Sequence, residues 1–196
     1  CPSDAIETAA VVRAAYAYHG PVYLRISRIG VKDYHTKDYS FTIGKGELVQ
    51  EGKDCTIVAA GIMVAEAIEA AEVLASEGIS VRIVNMASIK PIDKELLIES
   101  AKKTGAVVTA EEHTVLGGLG SAVAEVLSQN APVPMRFVGI KDKFGTSGAP
   151  EVLLKAYHLT SGDIVGAVKD VIRTYQLNPQ GGAARKQFRA APLLHT

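Results

Sequence analysis

Between residues 53 and 176 the sequence alternates short, continuously apolar runs with longer amphipathic stretches, and this rhythm limits the fold more than any other feature. DCTIVAAG, VRIVNM, GAVVTA and PMRFVGI are each short enough for a strand and lie between turn-forming residues. A strand without polar alternation must be covered on both faces, as in a parallel sheet enclosed by helices. The intervening stretches supply those helices. Val64, Ile68, Ala71 and Ala75 form a stripe opposite Glu66, Glu69 and Glu72, and Gly78 ends that helix. Asp93 caps a helix carrying Leu96 and Leu97 that stops at Gly105, and Leu119, Val123, Val126 and Leu127 share one side of the next. Beyond Pro150 two helices close the unit, the second opening with Thr160-x-x-Asp163 and carrying Ile164, Val168, Val171 and Ile172. The sequence therefore predicts an α/β domain over residues 53–176, a three-layer, mainly parallel sheet.

The front of the chain follows another pattern. Ile6, Ala10, Ala14 and Ala17 recur at helical spacing between Ser3 and His19; Ser3 can cap, and Asp4 and Glu7 suit the positive end of the helix dipole. In GPVYLRISR, residues 20–28, Val22, Leu24 and Ile26 share one face of a predicted strand and Tyr23, Arg25 and Ser27 the other. One helix and one strand cannot enclose a core, so residues 1–28 read as the last elements of a larger α/β domain. Residues 29–52 are polar and turn-rich, a linker with room for one hairpin, and residues 177–196 lose periodicity and read as a flexible tail. The sequence starts on Cys1 and not on Met, and further residues are expected upstream.

Charge narrows the range of partners. Lys+Arg and Asp+Glu are both 21, so no net field draws the chain to nucleic acid or an anionic membrane. No apolar run is long enough to cross a bilayer, and the expected location is cytoplasmic. Cys1 and Cys55 form no metal-type pair, and His19, His35, His113, His158 and His195 are scattered without ligand spacing. No protein-only metal site is expected.

VVTAEEHTVLGGLGSAVAEVL, residues 107–127, is the richest local pattern. Glu111, Glu112 and His113 fall where a parallel strand ends, on the edge where crevices of open α/β sheets lie, and Gly117, Gly118 and Gly120 open the following helix. A carboxylate beside an imidazole can exchange protons, and free amides at a helix start can hold a phosphate. The structural alternative is a tight turn of glycines in which Glu and His cap, pair or face a partner; it carries more weight, because Val123 stands where G-x-G-x-x-G needs its third glycine. Ser100-x-x-Lys103 and GTSGA, residues 145–149, match nucleophile patterns only in spacing. Arg28 is the stronger binding candidate, since a guanidinium at a strand tip can fork two donors onto a phosphate. The residues alone balance that against a salt bridge to Asp4, Glu7 or Asp33.

Together, CPSDAIET, GPVYLRISR, VRIVNMASIKPID, the 107–127 stretch and FGTSGAPEVLLKAYHLTSGDIV resemble the C-terminal part of the transketolase family over about residues 1–175. The resemblance implies the helix and strand ending a pyrimidine-binding domain at residues 1–28, then a transketolase C-terminal domain at residues 53–176. It implies a ketol-group transferase using thiamine diphosphate and a divalent metal such as magnesium, acting on sugar phosphates of the pentose phosphate pathway. Arg28 then corresponds to an arginine holding the substrate phosphate. The family's catalytic glutamate and substrate histidines have no counterpart here, and Gly162-Asp163 does not continue as a diphosphate motif. The chain is thus expected to bind no cofactor tightly and to be inactive alone, supplying a domain and an assembly surface to an N-terminal section or subunit in a homodimer or heterotetramer. The corresponding piece of deoxyxylulose phosphate synthase or of a two-oxoacid dehydrogenase beta subunit, or a non-catalytic dimerisation module, are the alternatives.

Overall fold

The computed structural model describes residues 1–177, the side chains of the last two excepted. Its elements in chain order are α1 (Ala5–Ala17), β1 (Glu47–Gln50), β2 (Cys55–Ala59), α2 (Met63–Ser76), β3 (Val81–Asn85), α3 (Lys94–Thr104), β4 (Val107–Thr114), α4 (Leu119–Asn130), β5 (Met135–Ile140), α5 (Pro150–Ala156) and α6 (Ser161–Leu177). Among the described residues the strands form one sheet in the order β1-β3-β2-β4-β5, parallel except for β1, which pairs antiparallel with β3. β2 and β3 are buried at every position, which is why they read as unbroken apolar runs.

Two apolar layers flank the sheet. Ile57, Ile83 and Val108 meet Leu74 of α2 and Val168 of α6 on one face, while Val58, Val84 and Val107 meet Leu97 of α3 and Val123 of α4 on the other. The expected three-layer α/β architecture is therefore formed. The caps are local chemistry: Asp93 accepts from the Leu96 amide, Gly105 takes the left-handed conformation at φ 72°, and Thr160 and Asp163 bond to each other.

The front of the chain departs from expectation in three places. Residues 21–27 form no sheet ladder, because no strand among the described residues lies alongside to pair their backbone. Helix α1 is capped by Asp4, which accepts from the Glu7 amide, and Ser3 bonds to Glu7 instead. Of its predicted apolar stripe none is fully buried; the buried residues are Glu7 and Val11. Residues 47–50, placed by sequence in a linker, are edge strand β1 and belong to the sheet, and no hairpin forms in residues 29–52. The expected tail lies outside the described residues from residue 178 onward. No helix among the described residues is long and apolar enough to cross a membrane.

Candidate functional site

In a doubly wound sheet the ligand crevice opens at the strands' C-terminal ends, where successive connections leave to opposite faces. Here that point lies between β2 and β4, and the chain's own front segment fills it. The Gly61 amide, just past β2, donates to the Cys1 carbonyl at 3.2 Å. Arg25 reaches the neighbouring strand end: Nη1 donates to the Glu112 carbonyl at 2.6 Å and Nη2 to Cys1 Sγ at 3.0 Å. At the end of β3, Asn85 Nδ2 donates to Glu7 at 2.9 Å.

Glu111 is 1% exposed and serves the helix that follows it. Its Oε2 accepts from the Leu119 amide at 2.6 Å and its Oε1 from the Gly120 amide at 2.8 Å. A Cβ on Gly118 would collide with that same carboxylate, which is why glycine stands there. The amides that sequence offered to a phosphate are thus occupied by an internal anion, which suits the helix dipole equally well. Glu112 is half-buried; burial raises its pKa against the opposing charge of Arg25. His113 is exposed and its Nδ1 approaches only the adjacent Thr114 carbonyl. The structure does not join Glu111, Glu112 and His113 into a proton-exchanging group.

Arg28 is exposed and makes no hydrogen bond or ion pair among the described residues. The carboxylates weighed as its partners are engaged elsewhere: Asp4 with His35, Glu7 with Ser3, Tyr39 and Asn85, and Asp33 with the Ala5 amide. Arg25, which sequence placed on a strand face without a role, is the arginine that anchors the segment. Its signal was the alternation opposite Val22 and Leu24, but the alternation could not say what it would meet.

The densest polar cluster joins the front of the chain to the sheet edge. His35 Nδ1 lies 2.8 Å from Asp4 and Nε2 lies 2.7 Å from Glu47 of β1. Burial pulls the imidazole pKa down, but the bond and charge of Glu47, with those of Asp4, outweigh it and leave the pKa raised. Asp4 is likewise disfavoured as an anion by burial, yet amide donation from Glu7 and His35 and the charge of His35 hold its pKa below the ordinary value. The Glu7 carboxylate accepts from the Ser3 amide and hydroxyl and from Tyr39. No sequence spacing signals this cluster, because its members come from residues 3–7, 34–39, 47 and 85.

Fold and site together define a three-layer α/β domain whose strand-end crevice is occupied by a chain segment docked through buried charge. The chain belongs to the transketolase family: residues 44–164 match the family described as "Transketolase, C-terminal domain". It is 46% identical over 170 residues to the 6-deoxy-6-sulfo-D-fructose transketolase subunit of Clostridium sp. (strain MSTE9), covering 87% of this chain and 53% of that protein. It is 40% identical over 177 residues to the 1-deoxy-D-xylulose-5-phosphate synthase of Heliobacterium modesticaldum (strain ATCC 51547 / Ice1), covering 87% of this chain and 27% of that one. A solved structure described as a split-gene transketolase, inactive beta4 tetramer, superposes with a TM-score of 0.85 at 55% identity, over 88% of this chain and 56% of the other. The chain thus spans about half the length of the transketolase relatives it matches.

The family implies thiamine diphosphate in the complete enzyme. The described residues do not fit a diphosphate site at either glycine-containing helix start. The α4 amides are taken by Glu111, and the Asp163 carboxylate is bonded to Thr160 and lies 3.2 Å from His158.

Proposed function

We propose that this chain is the C-terminal section of a transketolase of the split kind, which moves a two-carbon ketol unit from a ketose phosphate to an aldose phosphate. The section contributes the C-terminal domain and an assembly surface, and it binds no cofactor tightly by itself. The observation that carries this reading is the mismatch on α1 and the segment after it. The polar side is buried against the domain, while Val12, Tyr16, Tyr23 and Ile26 are 45%, 93%, 87% and 52% exposed. An apolar surface of that extent beside an unpaired, strand-patterned segment suits completion by another section of polypeptide.

Arg28 ends that segment with a guanidinium that has no partner among the described residues, and it is the residue we assign to the substrate phosphate. Anchoring a phosphate remote from the reacting carbon supplies binding energy and orientation without touching the bond that breaks. The test combines the chain with an N-terminal section, thiamine diphosphate and magnesium, and offers two substrate pairs. Turnover of xylulose 5-phosphate plus ribose 5-phosphate supports the reading. Turnover only of pyruvate plus glyceraldehyde 3-phosphate moves the chain to the synthase, a second reading favoured by the 40% identity to that enzyme. Calorimetry on the chain alone is expected to show no tight thiamine diphosphate binding, as for an assembly module.

A further inference from the structure

The cluster at the base of α1 joins three stretches of chain through one imidazole and has no part in the function proposed above. His35 Nδ1 lies 2.8 Å from Oδ2 of Asp4, the residue that caps α1, and Nε2 lies 2.7 Å from Oε2 of Glu47 on edge strand β1. We propose that His35 is a proton-operated clasp: while both ring nitrogens carry a proton it fastens the 34–39 loop to β1, and loss of the Nε2 proton frees Glu47 and opens it.

The geometry calls for the proton. An ionised carboxylate only accepts hydrogen bonds and a neutral imidazole has a single donor, so bonds from both ring nitrogens to two carboxylates need the imidazolium. Asp4 is pinned as an acceptor, because its oxygens also take the amides of Glu7, Tyr34 and His35. Tyr34 and Tyr39 hold their ring centroids 4.1 and 3.9 Å from the imidazole, within the range at which aromatic rings attract a cation. Asp4, Glu7 and Glu47 all belong to the cluster, and no lysine or arginine among the described residues pairs with any of them; Lys45 turns instead to Asp93 and Glu95 at 3.7 and 3.8 Å. Burial, with the charge of the carboxylates, raises the pKa of both tyrosine hydroxyls, so they stay neutral. Asp38, which lines the same cavity as His35 and Glu47, is exposed.

The direction of the switch follows. Burial of the ring opposes its charge, but the bond and charge of Glu47, with those of Asp4, outweigh it and raise the pKa above 6.5. The imidazolium's contribution is therefore complete below 6.5 and lost as pH rises through the folded value. Asp4 sets the acid limit: its folded pKa is lowered, so its contribution is complete above 3.8 and lost as pH falls through the folded value. On the alkaline side the proton leaves from Nε2. The Glu47 side chain is 34% exposed and can turn into water, whereas that of Asp4 is 0% exposed and fixed by amides. Once Nε2 is bare, its lone pair and the Glu47 carboxylate repel, while the Nδ1 bond to Asp4 persists.

The experiment uses the full 196-residue chain, labelled with nitrogen-15 and titrated by NMR from about pH 5 to about pH 10. The His35 ring is expected to titrate above 6.5, with Nε2 and not Nδ1 losing the proton. Through that transition the Tyr34, His35 and Tyr39 amides should exchange at least about 10-fold faster, after correction for the intrinsic base-catalysed rate, while β2 and β3 stay protected. Glu47→Gln supplies the control, since an amide side chain can accept from a protonated Nε2 or donate to a bare one. In that variant the His35 midpoint should fall and the acceleration should disappear. A midpoint at or below 6.5 in the unaltered chain, or an acceleration that Glu47→Gln leaves in place, overturns the proposal. The first of these needs no variant, and neither bears on ketol transfer.

Discussion

Helices α1 and α4 obey opposite rules. In α4 the apolar residues Leu119, Val123, Val126 and Leu127 face inward and the polar ones face water, and the hydrophobic effect holds the helix on the sheet. In α1 a glutamate is fully buried while tyrosine and valine are exposed, so charge and hydrogen bonds hold it to the domain. One region is a finished core; the other is a docked piece whose apolar side still faces outward. Buried apolar contacts tolerate loss of geometry by degrees, whereas a buried carboxylate stripped of its donors is expelled, so the two regions should fail differently.

The largest expected effect tests the finished core. Leu74→Ala, at a side chain with no exposure, should cost about 2–5 kcal/mol and lower the urea midpoint of the sheet as one cooperative transition. Confinement of the loss to α2 would break the picture of a single core.

Glu111→Ala should cost about 1–3 kcal/mol by leaving the Leu119 and Gly120 amides without acceptors. Glu111→Gln should recover part of that stability, and its activity in the complete enzyme should follow the folded fraction. A collapse in turnover at unchanged stability would return Glu111 to a chemical role.

Arg25→Ala sharpens the contrast on the docked side. Loss of its bonds to the Glu112 carbonyl and Cys1 Sγ should speed amide exchange in residues 18–30 while β2 and β3 stay protected. In the complete enzyme Arg28→Ala should weaken use of phosphorylated sugars more than unphosphorylated ones. An equal loss for both would withdraw its assignment.

The smallest effect is a pH dependence at the junction. The folded-state pKa of Glu112 is raised by burial, so its favourable contribution is complete below the ordinary carboxylate value of 4.5 and lost as pH rises through the folded value. Glu112→Gln should therefore stabilise the chain at pH 7 and change it little at pH 4, as read from paired urea titrations. A gain at both pH values would show that charge is not the cause.

Much of the domain was legible in the sequence for a reason visible in particular residues. The runs around Ile57, Ile83 and Val108 are buried on both faces, and such strands announce themselves by lacking polar alternation. Asp93, Gly105 and Thr160 act through neighbours three or four residues away, which a reading of the sequence can see. Strand β1 was missed because ELVQ at a sheet edge is only half covered and carries a weak pattern. The roles of Glu111 and Arg25 were open for another reason, since the same residue types serve an internal cap or an external ligand.

What the amino-acid order determined by itself was the periodicity: which segments coil, which extend, which face seeks cover, and hence the layered α/β architecture. The tertiary structure alone decided where the charges went. Helical spacing marked the α1 face of Ile6, Ala10, Ala14 and Ala17 as the one to bury, yet the face carrying Glu7 turned inward. Periodicity is set by the local geometry of a helix or strand, and so survives in a string of letters. Pairing a carboxylate at position 4 with a histidine at 35, and one at position 7 with an amide at 85, depends on distances through space, which the folded chain alone specifies.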